Sequence, residues 1–237
     1  PTMSTTIVAL DLPTADEAIS LVDRLGEAIG WYKVGAPLFT RSGPAVIEEL
    51  HARGKRVFLD LKYHDIPNTV AQAVDAAAEL GVAMLTLHAA GGASMLRAAR
   101  EAVGSDGPRL LGVTLLTSFT AEDIEQVWDK ELRSMREEVA RLAALAAECE
   151  LDGVVASALE AEALKRRHGE DFLVVTPGIR PAGSLVGDQV RTATPAEAVR
   201  AGSDFLVVGR PVIAAPDPVA AASRIEAEMQ SAREGGA

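Results

Sequence analysis

The sequence is poor in cysteine: Cys149 is the single one in 237 residues. That excludes an internal disulfide and a cysteine-based metal cluster, and it suits a reducing compartment, with the cytoplasm as the default. Aromatic residues are scarce at 4%, while hydrophobic residues reach 48%. A core is therefore attainable, but it must be packed from aliphatic and alanine side chains. Positive charge is in deficit, with a formal net charge of −11. Nucleic acid and anionic membrane surfaces repel such a chain, although a small anionic ligand needs only a local positive pocket. No apolar run reaches the ~18 residues of a membrane span. The start, Pro1-Thr2-Met3-Ser4, has no basic stretch followed by an apolar one, so no secretory signal is expected there. His51, His64 and His168 lack the spacing of metal ligands, so no metal site is expected.

What is present is an alternation of short apolar runs with longer amphipathic ones. Strands are expected at 6–10, 31–34, 56–61, 82–88, 109–116, 153–156, 172–176 and 205–208. Helices are expected at about 13–25, 37–53, 67–80, 93–103, a region interrupted near Trp128 and continuing to Cys149, then 159–168, 195–201 and 216–228. Eight strand-then-helix units of roughly 30 residues fit the ~250 residues usual for a (β/α)8 barrel. The strands are continuous apolar runs, as buried parallel strands require. No linker or composition break divides the chain. The expectation is an α/β protein with one (β/α)8 TIM-barrel domain over 1–237, with short disordered ends at about 1–4 and 232–237. An open doubly wound sheet would ordinarily use fewer strands and need a switch point.

Polar residues recur where the strands end. Asp11 closes the first, Lys33 the second, Asp60 and Lys62 the third and His88 the fourth. Thr114 and Thr117, Ser157, Thr176, and Gly209 with Arg210 close the remaining four. In a barrel these ends converge on one face, where active sites form. The densest stretch runs from Phe58 to Val70. Asp60 and Lys62 are two apart, so on a strand they point to the same face. A carboxylate and an ammonium at the end of an apolar strand are costly unless they serve a purpose. Asp65 adds a second carboxylate. Each residue has an ordinary alternative. Asp11 and Asp65 suit helix caps, Lys33 suits a stem that reaches to solvent, Asp60 with Lys62 suits a structural ion pair, and His88 suits a hydrogen-bonded structural role. Taken together, those alternatives predict no convergence.

The second half offers a phosphate site. Strand eight ends Val207-Val208-Gly209-Arg210-Pro211, where a glycine admits an anion to the backbone, a following helix start offers N–H groups and Arg210 adds a bidentate donor. The loop from Pro177 to Asp188 has the length and composition of a mobile lid, and Arg180 and Gln189 are further donors around it.

These residues carry a resemblance. Leu59-Asp60-Leu61-Lys62-Tyr63-His64-Asp65-Ile66-Pro67-Asn68-Thr69 resembles the Asp-x-Lys-x-x-Asp motif of the orotidine 5′-phosphate decarboxylase family, in its bacterial form. Further matches are Ala9-Leu10-Asp11, Lys33-Val34-Gly35, His88-Ala89-Ala90-Gly91-Gly92, Leu116-Thr117-Ser118, Val175-Thr176-Pro177-Gly178-Ile179-Arg180, Asp188-Gln189 with Arg191, and Val208-Gly209-Arg210-Pro211. They run from about Ile7 to the last helix. The departures lie at 182–186 and after strand five, and neither touches a motif residue.

The resemblance implies conversion of orotidine 5′-monophosphate to UMP and CO2, in de novo pyrimidine synthesis, with no metal or organic cofactor. It implies a homodimer in which Asp65 and Thr69 reach into the partner's site. Lys33, Asp60 and Lys62 would join that Asp65 in an alternating charge row, with Lys62 as proton donor. Asp11 and Lys33 would hold the ribose and orient Asp60. Thr117, Ser118 and Pro177 would face the pyrimidine, and Arg180, Gln189, Gly209 and Arg210 would hold the phosphate. Two other readings remain at this point. One is a Mg²⁺-dependent sugar-phosphate enzyme on the same scaffold. The other is a non-catalytic UMP-binding barrel.

Overall fold

The computed structural model describes residues 4–104, 106–129, 134–181 and 191–235. Eight parallel strands close into a barrel in sequence order. They are β1 (Thr5–Ala9), β2 (Trp31–Gly35), β3 (Arg56–Tyr63), β4 (Met84–His88), β5 (Arg109–Val113), β6 (Gly153–Val155), β7 (Leu173–Thr176) and β8 (Phe205–Val208). Closure is made by β1 against β8, with Thr5 opposite Phe205 and Val8 opposite Val208. The expected (β/α)8 architecture is the one observed.

Helices separate the strands: α1 (Ala15–Leu25), α2 (Ala36–Ser42), α3 (Ala45–Ala52), α4 (Pro67–Glu79), α5 (Ala93–Val103), α6 (Ala121–Trp128), α7 (Met135–Glu148), α8 (Ala158–His168), α9 (Pro195–Arg200), α10 (Arg210–Ile213) and α11 (Pro218–Glu234). Their starts follow local chemistry. The Thr14 hydroxyl accepts the Glu17 N–H ahead of α1, and Thr194 with Glu197 forms a capping box at α9.

Several boundaries differ from expectation: β3 runs on to Tyr63 rather than stopping at Leu61, β4 starts at Met84 rather than Val82, and β5 ends at Val113 rather than Leu116. The helix expected over 37–53 is two helices, because Gly43 takes φ 58° and Pro44 follows, a pair that ends one helix and opens the next. The last helix runs to Glu234 rather than fraying from Ala232, because Met229 and Ala232 are buried on its inner face.

Strand pleating sorts the side chains into two cores. Ile7, Trp31, Phe58, Met84, Leu111, Val175 and Phe205 fill the barrel interior, while Val8, Tyr32, Val57, Leu59 and Leu85 face the helices. The interior floor is wide and apolar, with Trp31 set edge-on to Phe205 at 5.2 Å between centroids. Two residues further along the same strands stand Lys33 above Trp31, Asp60 above Phe58 and Thr86 above Met84. The site is the polar top of an apolar column. Among the described residues no helix is long and apolar enough to cross a membrane.

Candidate active site

The C-terminal ends of the strands surround a cavity of about 560 Å³, a volume suited to a small-molecule ligand. Asp11 just beyond β1, Lys33 of β2, and Asp60 and Lys62 of β3 stand in its wall. These four form a continuous chain of alternating sign. Lys33 Nζ donates to Asp11 Oδ1 at 3.0 Å and lies 3.6 Å from Asp60 Oδ2. Lys62 Nζ donates to both oxygens of Asp60 at 2.8 Å. The side chains of Lys33 and Asp60 are each only 12% exposed. Burial pushes the Asp60 carboxyl up, but the Lys33 and Lys62 ammonium groups and the hydrogen bonds from Lys62 and Thr86 outweigh it. The net effect holds Asp60 below the ordinary carboxylate value, so it is ionised at neutral pH.

The local backbone explains why the lysines gather here. Gly35 leaves room for the Lys33 ammonium; a Cβ there would meet Lys33 Nζ at 2.9 Å. The approach of Lys62 is less simple than two-residue alternation on a strand. Phe58 and Leu59 pair regularly with Met84 and Leu85, but Tyr63 is the residue opposite Leu87, so β3 bulges between Leu59 and Tyr63. Within the bulge Lys62 takes φ 53°. The bulge, not strand alternation, turns its ammonium back onto Asp60.

Thr117 and Ser118, beyond β5, line the opposite wall, with Pro177 and Arg180 beyond β7 and Gly209 and Arg210 beyond β8. The loop after β7 is pinned at its base, where Arg180 N–H donates to the Ala193 carbonyl at 2.8 Å. Gln189 and the central part of the expected lid lie outside the described residues. The helix expected to offer N–H groups after β8 is a single turn, α10, so the positive charge at this end comes from arginine side chains.

Asp65 and Thr69 do not line this cavity; both are exposed. Asp65 is not the helix cap either. Its Oδ1 accepts from the adjacent Ile66 N–H, while Ile66 stands at the N-cap of α4 without a side-chain cap bond. Nor does Asp11 cap α1, a position held by Thr14. The other polar strand ends serve the scaffold. Thr114 donates to the Val155 carbonyl, Ser157 caps α8, and Thr176 pairs with Ser203. His88 packs against His64 at 5.4 Å between centroids, and burial, with His64 and Lys62 nearby, holds its pKa down. Cys149 is buried at the end of α7.

Two features escape the sequence reading. Thr86 is buried beneath the charge row, bonded to both Asp60 and Lys62. Its signal is a lone hydroxyl two residues before His88, within the apolar run of β4. The other is Glu160, which accepts from Arg191 Nη1 at 2.8 Å. Arg191 Nη2 also reaches the Leu115 carbonyl, so the returning end of the β7 loop is tied to the cavity wall.

The profile of the "Orotidine 5'-phosphate decarboxylase / HUMPS family" matches residues 4–225. A protein of Halorhodospira halophila named orotidine 5′-phosphate decarboxylase is 55% identical over 228 residues, covering 95% of this chain and 96% of its own. One of the same name from Moorella thermoacetica is 52% identical over 231 residues, covering 94% and 91%. The crystal structure of orotidine 5′-phosphate decarboxylase from Lactobacillus acidophilus matches with a TM-score of 0.84 at 39% identity, covering 95% of this chain and 99% of that one.

Proposed function

Because the chain belongs to the orotidine 5′-phosphate decarboxylase / HUMPS family, we propose that it decarboxylates orotidine 5′-monophosphate to UMP without a metal or organic cofactor. The observation that carries the reading is the row Asp11–Lys33–Asp60–Lys62, held at hydrogen-bond and ion-pair distances at the cavity wall. Both Asp60 oxygens are engaged by the Lys62 ammonium. A divalent ion would have to displace that ammonium, which favours the decarboxylase over a Mg²⁺-dependent relative.

The chemistry demands such a row. When CO2 leaves C6 of the pyrimidine, the electron pair of the broken C–C bond stays on a vinyl carbon with little delocalisation. Enzymes lower barriers by roughly 8–23 kcal/mol, and this reaction needs the upper end. The Lys62 ammonium lies beside C6, stabilises the developing carbanion, and transfers a proton from Nζ to C6; the neutral amine then regains a proton from solvent. Asp60 and Lys33 are fixed before substrate arrives, so no reorganisation is needed at the moment of reaction. Asp11 and Lys33 hold the ribose hydroxyls. Thr117, Ser118 and Pro177 contact the base, and Arg180, Gln189, Gly209 and Arg210 take the phosphate. Phosphate binding energy is used to assemble the site, so its loss lowers the chemical rate as well as affinity. Asp65 and Thr69 complete the site of a partner subunit. The strongly exposed Ile66 between them, at 66%, is in keeping with a covered surface there.

The test is CO2 release from orotidine 5′-monophosphate by purified, chelator-treated protein and its Lys62→Ala variant. Activity that survives chelation and falls by more than about a thousandfold in the variant is expected, since a lost transition-state contact lowers kcat directly. Activity lost on chelation favours the metal-dependent relative. Absence of turnover with UMP still bound favours a binding barrel. A variant within about tenfold of wild type overturns the proton-donor role.

A further inference from the structure

The Lys62 backbone adopts a conformation that L side chains rarely take, with φ 53°. It does so inside the bulge that ends the regular pairing of β3 with β4. A bulge leaves a backbone N–H without its ladder partner, and a buried N–H must find another. Here the partner is a side chain: Thr86 Oγ1 accepts the Lys62 N–H at 2.9 Å. The same hydroxyl donates to Asp60 Oδ1 at 3.0 Å. Thr86 is fully buried, so water does not compete for either bond. Asp60 Oδ1 also accepts from Lys62 Nζ at 2.8 Å. The three bonds close a loop through one hydroxyl, one carboxylate and both ends of one lysine.

We propose that Thr86 is a positioning residue for the reaction, resting on the reading of Lys62 as proton donor. Its acceptor lone pair holds the Lys62 backbone in the left-handed turn. Its donated hydrogen fixes the Asp60 carboxylate that receives the ammonium. Without the hydroxyl, the bulge loses the group that satisfies it, and the Lys62 side chain loses its fixed starting point. Thr86 does not line the cavity, so its effect falls on the chemical step rather than on binding.

Thr86→Val keeps the shape and removes both bonds; Thr86→Ser keeps the hydroxyl. Steady-state decarboxylation, inhibition by UMP and crystal structures would compare both with wild type. Thr86→Val should lower kcat roughly 10- to 100-fold, the scale of an ångström-level misplacement. KM and the UMP inhibition constant should stay within about threefold, and Thr86→Ser should recover most of the rate. In the crystal, Thr86→Val should release Lys62 from its left-handed φ or move Nζ away from Asp60. A Thr86→Val kcat within about threefold of wild type, equal loss in Thr86→Ser, or a loss seen only in KM would overturn the role. If wild type releases no CO2, the functional reading fails instead. The crystal structures then decide alone, and an unmoved Lys62 in Thr86→Val overturns the positioning. Should Thr86→Val not fold, Thr86→Cys takes its place under the same criteria, because a thiol is a weak donor and acceptor.

Discussion

Asp60 keeps its charge against burial because two ammonium groups and a hydroxyl face it. Its folded pKa lies below the ordinary value. The sign of the linkage follows. An acid that is harder to protonate when folded stabilises the protein above its unfolded pKa of about 3.9, and that contribution disappears as pH falls through the folded value. Asp60→Asn should therefore unfold more easily than wild type at pH 7, by about 1.5–3 kcal/mol, the scale of a charged hydrogen bond. The gap should close as the pH is lowered through the folded Asp60 value. Urea unfolding at a series of pH values measures it. A gap that stays constant into acid would mean that the carboxylate's charge is not what Lys33 and Lys62 hold. The presence of Asp60, Lys62 and Lys33 at strand ends was legible in the sequence, because polar residues stand out at the ends of apolar runs. Their mutual distances were not, because those depend on the closing of three strands against one another.

Elements were legible where their signals are local. The eight apolar runs and the caps and prolines that open helices are such signals. The reading failed where a distant partner decides. Strand three was expected to stop at Leu61, yet it continues to Tyr63 through a bulge whose N–H is satisfied from the next strand by Thr86. Strand six shows the same dependence in packing. Gly153 sits opposite Leu173, and a Cβ there would come within 2.2 Å of the Leu173 carbonyl oxygen. Backbone cannot yield as a flexible side chain does. Gly153→Ala should cost about 1–3 kcal/mol or more by overpacking and lower the melting temperature. The cavity lies above this level of the barrel, so the surviving folded fraction should keep its KM. A melting temperature equal to wild type would show that β6 and β7 separate without strain.

At the scale of the whole molecule, the cavity wall holds Lys33, Asp60 and Lys62 of the expected alternating row but not Asp65. It is exposed with Thr69, on the α4 edge of the mouth, beside the exposed Ile66. A two-fold pairing of this edge is self-complementary, so each chain would lend Asp65 and Thr69 to the other. Subunit exchange tests this without a new contact having to be engineered. Lys62→Ala lacks its own proton donor but still offers Asp65. Asp65→Ala keeps its lysine but offers no acid across the interface. Each variant alone should be nearly inactive. In an equal mixture after exchange, half the dimers are mixed, and each mixed dimer contains one site with an intact lysine and an intact neighbouring acid. Recovery should therefore approach about a quarter of the wild-type rate per chain. Mass spectrometry of the intact mixture establishes whether mixed dimers have formed. If they have and the rate does not rise above that of the separate variants, each site is built from one chain, and Asp65 has no part in its neighbour's chemistry.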